Sequence, residues 1–318
     1  MSTADRGVAA FGTPSVLSPA GVQAGALAEV SWVLIVGAAV LFVLMMILLT
    51  LALRRRAAAS HGSLHRPILL VGIGLPTTVL SALLIYGTAR TAGLDHSLSR
   101  PDMVVTVTGR LWWWELRYRD PATGREIVSA NELRIPVGRQ VQLGLRSDDV
   151  VHSLWVPELG GKRDLVPGRV NQLVFTATRP GRYRGQCAEF CGEQHARMAL
   201  HVLAMPAEAF DAWLARQGET AAVTAPAVAR GRSAFEQHGC ATCHSVDPAE
   251  RGPSRGPNLA HVASRSHLGA GLLPNGPGAF RRWLVGVQTL KPGARMPSYA
   301  HLEPDALEAL SHYLESLE

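Results

Sequence analysis

The first pattern along the chain is a long stretch without charge. From Ser31 to Leu53 the side chains are continuously apolar, and the run stops at Arg54-Arg55-Arg56. About 23 residues at ~1.5 Å rise give roughly 34 Å of helix, enough to cross a ~30 Å hydrocarbon layer. A second apolar stretch, Pro67 to Ala89, contains Gly72, Gly74 and Pro76. Membrane helices tolerate these residues, and Pro76 predicts a kink. Residues 1–30 are small and nearly uncharged and predict an arm outside the membrane; residues 31–90 predict a transmembrane helical hairpin. Arg54, Arg55, Arg56 and Arg66 lie between the two spans, whereas the arm carries only Arg6. The positive-inside rule puts that connection in the cytoplasm and everything after about residue 90 on the opposite side.

Beyond the hairpin the period shortens to that of strands. Val104–Thr108 is rich in β-branched residues, Trp112–Tyr118 is aromatic, and Val141–Leu145 and Leu173–Thr176 alternate apolar and polar positions. Turn pairs such as Asp120-Pro121, Pro167-Gly168 and Pro180-Gly181 separate them, so residues 91–217 predict a β-sandwich or barrel closed by a short helix, Pro206–Gln217. Residues 218–227 form a linker rich in small residues. Residues 228–318 turn helical, with segments expected at Ala229–His238, Gly278–Val287 and Pro304–Leu317. Leu307, Leu310, Leu314 and Leu317 share one stripe of the last segment. So small a helical domain needs extra help to be stable, and a covalent cofactor would supply it.

Composition supports the membrane assignment. Of the 318 residues 47% are hydrophobic, high for a wholly soluble protein. The net charge of +6 does not imply nucleic acid, because Lys162 and Lys291 are the only lysines and the arginines are scattered rather than clustered with aromatics. The four cysteines, 187, 191, 240 and 243, form two close pairs, each beside a histidine, which fits metal or cofactor attachment better than a disulfide framework.

Cys240-Ala241-Thr242-Cys243-His244 is a C-x-x-C-H sequence, the attachment signal for c-type haem: two thiols bond the macrocycle and the next residue offers an imidazole to iron. By elimination Met296, in Lys291-Pro292-Gly293-Ala294-Arg295-Met296-Pro297, is the candidate sixth ligand, and a His/Met pair favours electron transfer. This stretch resembles class I cytochrome c domains. In Cys187-Ala188-Glu189-Phe190-Cys191-Gly192-Glu193-Gln194-His195-Ala196-Arg197-Met198, thiolate, imidazole and thioether fall at spacings of four, four and three. That ligand set suits copper, although the spacing also lines one face of a helix, and a zinc site would make no use of the thioether.

The same run resembles the binuclear copper A loop of cytochrome c oxidase subunit II. His152, in Asp148-Asp149-Val150-Val151-His152, stands where that family has a further histidine, and Gly160–Arg169 is similar too. With the hairpin and the C-terminal motif, the resemblance to the fused, caa-type form covers nearly the whole chain. It implies a cupredoxin-like sandwich in which Cys187 and Cys191 bridge two coppers and His152 and His195 each bind one. Met198 and the Glu189 carbonyl would be weak axial ligands, and the Glu189 side chain would face a magnesium site shared with subunit I. His201 and Met205 are read as structural. Trp112 aligns with the family's electron-receiving tryptophan, although Gly109-Arg110-Leu111-Trp112 departs from the usual Gly-His-Gln-Trp. The family's carboxylate near the second span is missing from His61-Gly62-Ser63-Leu64-His65-Arg66-Pro67.

The resemblance further implies a bacterial inner-membrane, multi-pass subunit whose copper and haem domains lie on the periplasmic side. Its partners would be oxidase subunit I and subunit III, a cytochrome c or other periplasmic donor, and membrane lipid. Oxygen chemistry would lie in another subunit. Two other readings stay open at this point: the donor subunit of a copper A-type nitric oxide reductase, and a membrane-tethered electron carrier outside any catalytic complex.

Overall fold

Runs of Leu, Val, Ile and Ala with no charge to interrupt them become helix. In a computed structural model that describes residues 14–54, 69–94, 101–120, 123–219, 226–249 and 255–318, they form α1 (Val22–Arg54) and α2 (Leu75–Thr91). A π-helical turn, Leu70–Gly74, leads into α2. The wider turn covers Gly72, whose carbonyl the ring of Pro76 would strike in a regular helix, so the disturbance expected from Pro76 is absorbed just before it. Both helical segments are long and apolar enough to span a membrane. Every residue of α1 from Ser31 onward is exposed and none of α2 is buried, so lipid or other helices must cover them. Glu29 pairs with Arg90 and accepts a hydrogen bond from the Tyr86 hydroxyl at 3.0 Å, which brings the start of α1 beside the end of α2. The arginines 55, 56 and 66, and the stretch His61–Pro67, lie outside the described residues.

The chain divides into two units, Gly25–Leu98 and the remainder. The N-terminal arm expected over residues 1–30 is partly built into the fold from residue 14 onward. Helix α1 starts at Val22 rather than at Ser31, because helical hydrogen bonding continues past the last fully apolar residue. The residues before it join the sandwich: Ala20 donates its N–H to Glu158 O (2.7 Å) and accepts from Thr178 (2.8 Å), and Val22 donates to Thr176 O (3.0 Å).

Among the described residues ten strands make the sandwich. One sheet has the order β3 (Glu126–Ala130), β2 (Trp113–Arg119), β1 (Met103–Arg110), β5 (Val141–Ser147), β8 (Asn171–Phe175). The other has β4 (Glu132–Pro136), β10 (Ala199–Met205), β9 (Gly181–Cys187), β6 (His152–Trp155), β7 (Arg163–Leu165). The pairs β1–β5 and β4–β10 are parallel, the rest antiparallel. This is a cupredoxin-like β-sandwich. Alternation in β5 sends Val141, Leu143 and Leu145 inward, where they meet Trp114, Leu116, Leu154 and Phe175 in a core closed to solvent. Each such side chain contributes about 1.5–3 kcal/mol on burial. Helix α3 (Ala207–Gln217) covers one end with Phe210, Trp213 and Leu214, and Pro206 caps it one residue before the first helical turn.

The C-terminal region has its own small core built on α4 (Pro226–Gln237), α5 (Ala279–Leu290) and α6 (Pro304–Glu315), with Leu307, Leu310, Leu314 and Leu317 buried as one stripe. It lies against the sandwich edges. Val128 of edge strand β3 donates its N–H to Pro248 O at 2.9 Å. On edge strand β4, Glu132 Oε2 accepts from Ser266 N–H at 2.8 Å and from Ser266 Oγ at 2.5 Å. Open sheet edges are thereby covered within the chain.

Candidate metal centre and haem site

Strand β9 ends at Cys187 and β10 begins at Ala199; between them the chain forms a loop with a short 3₁₀ turn at His195–Arg197. The helical alternative for this run is therefore excluded. Gly192 takes φ +108°, which a side chain would resist, and lets the loop fold back on itself. His152 opens β6, and Leu154 of that strand pairs with Cys187, so sheet register carries the distant histidine to the loop.

The donor atoms converge. Cys187 Sγ lies 3.7 Å from Cys191 Sγ and 3.8 Å from His152 Nδ1; Cys191 Sγ lies 3.6 Å from His195 Nδ1 and 3.9 Å from Met198 Sδ. The Glu189 carbonyl oxygen is 3.2 Å from Cys187 Sγ. A sulfur separation of 3.7 Å is no disulfide, whose bond is ~2.05 Å. On one tetrahedral first-row metal, sulfur at ~2.3 Å and nitrogen at ~2.0 Å stand about 3.6 Å apart, and two such sulfurs about 3.8 Å apart. The observed spacings suit such sharing, and His152, Cys187 and Cys191 form a group that could hold a metal ion. Cys187, Cys191, Met198 and His152 are buried, His195 is half-buried, and two thiolates, two imidazoles and a thioether make a soft set suited to copper.

Protonation in this pocket is coupled. Hydrogen bonding from Cys191, against the opposing effect of burial, and then from His152 holds the Cys187 thiol well below the usual thiol range, while Cys191 is pushed up and keeps the proton. Burial lowers the pKa of His152, but the hydrogen bonds to Asp149 and Cys187 outweigh it and raise the imidazole to about 9. A cation that binds here displaces these protons.

Two features around the ligands were not evident in the sequence. Asp149 Oδ1 holds His152 Nε2 at 2.8 Å, which leaves Nδ1 facing Cys187; a carboxylate behind a ligating histidine fixes its orientation. Gly109 of β1 makes room for the ring, since a Cβ there would stand 2.7 Å from His152 Cδ2. An aspartate three residues before the histidine was the only signal available. Trp112 is half-buried and its Nε1 donates to Cys191 O at 2.8 Å, so it touches the loop. The Glu189 carboxylate points away from the donors toward Lys162, at 3.7 Å. His201 is buried edge-to-face on His267 with 4.3 Å between ring centres, and Met205 is partly buried on the sandwich core.

In the helical domain Cys240 opens a 3₁₀ turn and is buried, Cys243 is exposed, and His244 follows them. A cavity of ≈ 370 Å³ lies beside them, lined by Phe235, Cys243, His244, Val246 and Tyr313 among others. His244 Nδ1 bonds to Pro257 O at 2.7 Å, which fixes the ring and leaves Nε2 as the nitrogen that could hold a metal. Gly256 cradles that imidazole, since a Cβ would come within 2.6 Å of His244 Cε1. Met296 is half-buried on the helical core, and its carbonyl accepts from Gln288 Nε2 at 2.6 Å. Two thiols and an oriented imidazole suit a covalent haem, and the cavity beside them mixes Phe235, Val246 and Tyr313 with the charged Arg232, Glu236, Asp247 and Arg255.

Residues 120–205 match the family described as cytochrome C oxidase subunit II, periplasmic domain, and residues 228–318 match cytochrome c. The chain is similar to cytochrome c oxidase subunit 2 of Alkalihalophilus pseudofirmus, 36% identical over 255 residues that make up 79% of this chain and 70% of that one. It is also similar to cytochrome c oxidase subunit 2 of Bacillus sp. strain PS3, 33% identical over 262 residues, 79% of this chain and 71% of the relative. The crystal structure of the periplasmic domain of subunit II of cytochrome oxidase from Bradyrhizobium japonicum aligns with 29% identity and a TM-score of 0.35, over 37% of this chain and 95% of that one. With its two membrane helices, its sandwich and its C-terminal haem motif, the chain belongs to the cytochrome c oxidase subunit 2 family, in the form that carries a cytochrome c domain, and is a membrane-anchored part of an oxidoreductase.

Proposed function

We propose that this subunit takes electrons from a periplasmic cytochrome c or similar donor onto a haem at Cys240 and Cys243, and passes them through a copper pair to the oxygen-reducing subunit I. The observation that carries the reading is the convergence of Cys187, Cys191, His152, His195 and Met198 at metal-sharing distances, on a chain that also holds an oriented C-x-x-C-H histidine. When bound, copper held by Cys187, Cys191, His152, His195 and Met198 would carry one electron at a time, and a haem held by Cys240, Cys243, His244 and Met296 would exchange electrons without binding a substrate.

The protein's part is to hold these donors still. Asp149 and the Pro257 carbonyl fix the two imidazoles from behind. The sandwich core keeps Cys187, Cys191 and Met198 from water, so the donor set changes little between oxidation states. Trp112, bonded to the Cys191 carbonyl, is the aromatic contact through which electrons reach the loop. The outward Glu189 carboxylate is the group we assign to a magnesium ion at the contact with subunit I, while its carbonyl serves the copper side. Residues 91–217 would be the copper domain and 228–318 the haem domain, joined by 218–227. Both would lie on the periplasmic face of a bacterial cell membrane, beside subunits I and III.

Metal analysis and EPR of the purified full chain test this. The expected result is two coppers per covalent haem, with Met198→Leu changing the copper spectrum and leaving haem content intact. Zinc in place of copper, or a copper spectrum indifferent to Met198→Leu, contradicts the assignment.

A further inference from the structure

Lys291 follows α5 directly and begins the loop that carries Met296, yet its side chain leaves the helical domain. It is only 5% exposed. Its Nζ donates to Trp112 O at 2.8 Å and to Arg197 O at 2.8 Å, both in the sandwich domain, and to Gly269 O at 3.1 Å in its own domain. Its ammonium form has three protons and three carbonyls accept them, so no donor is orphaned, while burial lowers the amine's pKa to about 7. The contact is reciprocal: Arg197 Nη1 donates to Leu290 O at 2.9 Å. Next to it the Glu193 carboxylate packs against the Gly293 backbone, since a Cβ there would stand 2.5 Å from Glu193 Oε2, and Gly293 also takes φ +74°.

Each partner of Lys291 on the sandwich side belongs to the copper loop or touches it. Arg197 closes the turn between His195 and Met198, and Trp112 is bonded to Cys191 O. On the other side Lys291 stands in the segment Lys291–Pro297 that ends in Met296-Pro297. A three-way backbone clamp therefore joins the chain that holds the copper donors to the chain that holds the candidate haem ligand.

We propose that Lys291 is a positioning residue for electron transfer between the two centres, its ammonium clamping the Met296 loop onto Trp112 and the His195–Met198 turn so that their separation is fixed. This rests on reading the chain as a haem-to-copper relay. An exposed ion pair at a domain boundary would hold the domains weakly, because water and salt screen it. A buried ammonium shared among carbonyls has no such competitor, and letting go of them inside the interface strands a charge. Arginine is a poor substitute, since its planar fork cannot aim three donors from one point.

The test uses the full-length protein loaded with haem and copper. Haem is reduced by a flash, and the electron's arrival at copper is followed optically. Lys291→Met keeps the volume and removes all three donors. It is expected to slow that transfer about tenfold, as a small misplacement of reacting groups does, while the haem spectrum and the copper EPR signal stay as in the wild type. Hydrogen exchange should rise at the amides of Ala199 and Val128, which bond across the boundary to Ala270 and Pro248; this readout needs no turnover. If Lys291→Met fails to fold, Arg197→Gln removes the reciprocal bond and leaves the ammonium in place, and is expected to move transfer and exchange in the same direction by less. Unchanged transfer and unchanged exchange in the folded variant overturn the proposal. So does an altered haem or copper spectrum with unchanged exchange at the boundary, which is what a purely local folding role gives. A wild-type protein with both centres loaded and no transfer between them overturns the relay reading instead.

Discussion

The copper loop and the haem motif carry nearly the same ligands, two cysteines and a histidine within a few residues, on different foundations. Around the copper loop the sandwich is complete by itself: Trp114, Leu154 and Phe175 have no exposed surface, and Cys187, Cys191 and Met198 sit within that core. In the helical domain Val246, Leu259, Trp283, Met296 and Tyr299 are only partly buried around a smaller core. The first region holds its donors in a closed core, whereas the second keeps several apolar side chains partly exposed. The contrast follows from size and topology, since a two-sheet sandwich closes a core that three short helices cannot.

Removing the haem attachment should break this contrast most sharply. In Cys240→Ser/Cys243→Ser, covalent haem is lost completely, and hydrogen-exchange protection should vanish from residues 228–318 while β1, β5 and β9 keep theirs. Exchange by mass spectrometry reads this directly, and retained protection in the helical domain would show that its core stands without the cofactor.

A smaller effect sharpens the copper side. Asp149→Asn should weaken metal affinity by about 10- to 100-fold, since the imidazole loses the carboxylate that orients it. Copper competition against a chelator measures it, and the sandwich's circular dichroism should not change.

The smallest effect concerns the boundary between the regions. Burial raises the Glu132 carboxyl, but the Arg134 charge and the bonds from Ser266 outweigh it and hold the group below the usual carboxylate range. A carboxyl depressed in the folded state stabilises above its unfolded pKa, near 4.3, and that contribution is lost as pH falls through the folded value. Glu132→Gln should therefore cost about 1 kcal/mol at neutral pH. Urea titrations of the two proteins should converge as the pH drops below about 4.

The sequence exposed the parts of this molecule whose chemistry is local. The C-x-x-C-H run and the Cys187–Met198 run each lie within a dozen residues, and the hairpin is legible because hydrocarbon demands an unbroken apolar stretch. His152 needed the family resemblance, since it reaches the loop only through the pairing of β6 with β9. Strand β10 was hard to read for a physical reason. Its Ala199-Leu200-His201-Val202 is buried residue after residue, one side on the sandwich core and the other against the helical domain, so the period-two signal disappears. Lys291 was invisible because nothing in one dimension marks a lysine whose partners are backbone carbonyls of another domain. Asp149 looked like one acidic residue in a turn.

The central claim is that both centres belong to one chain and exchange electrons within it. Flash reduction of the haem in the isolated full-length protein, with no other subunit present, tests it most directly. The account predicts that copper is reduced as the haem is reoxidised, in a first-order process whose rate does not depend on protein concentration. A haem that stays reduced beside oxidised copper, or a rate proportional to concentration, would contradict it.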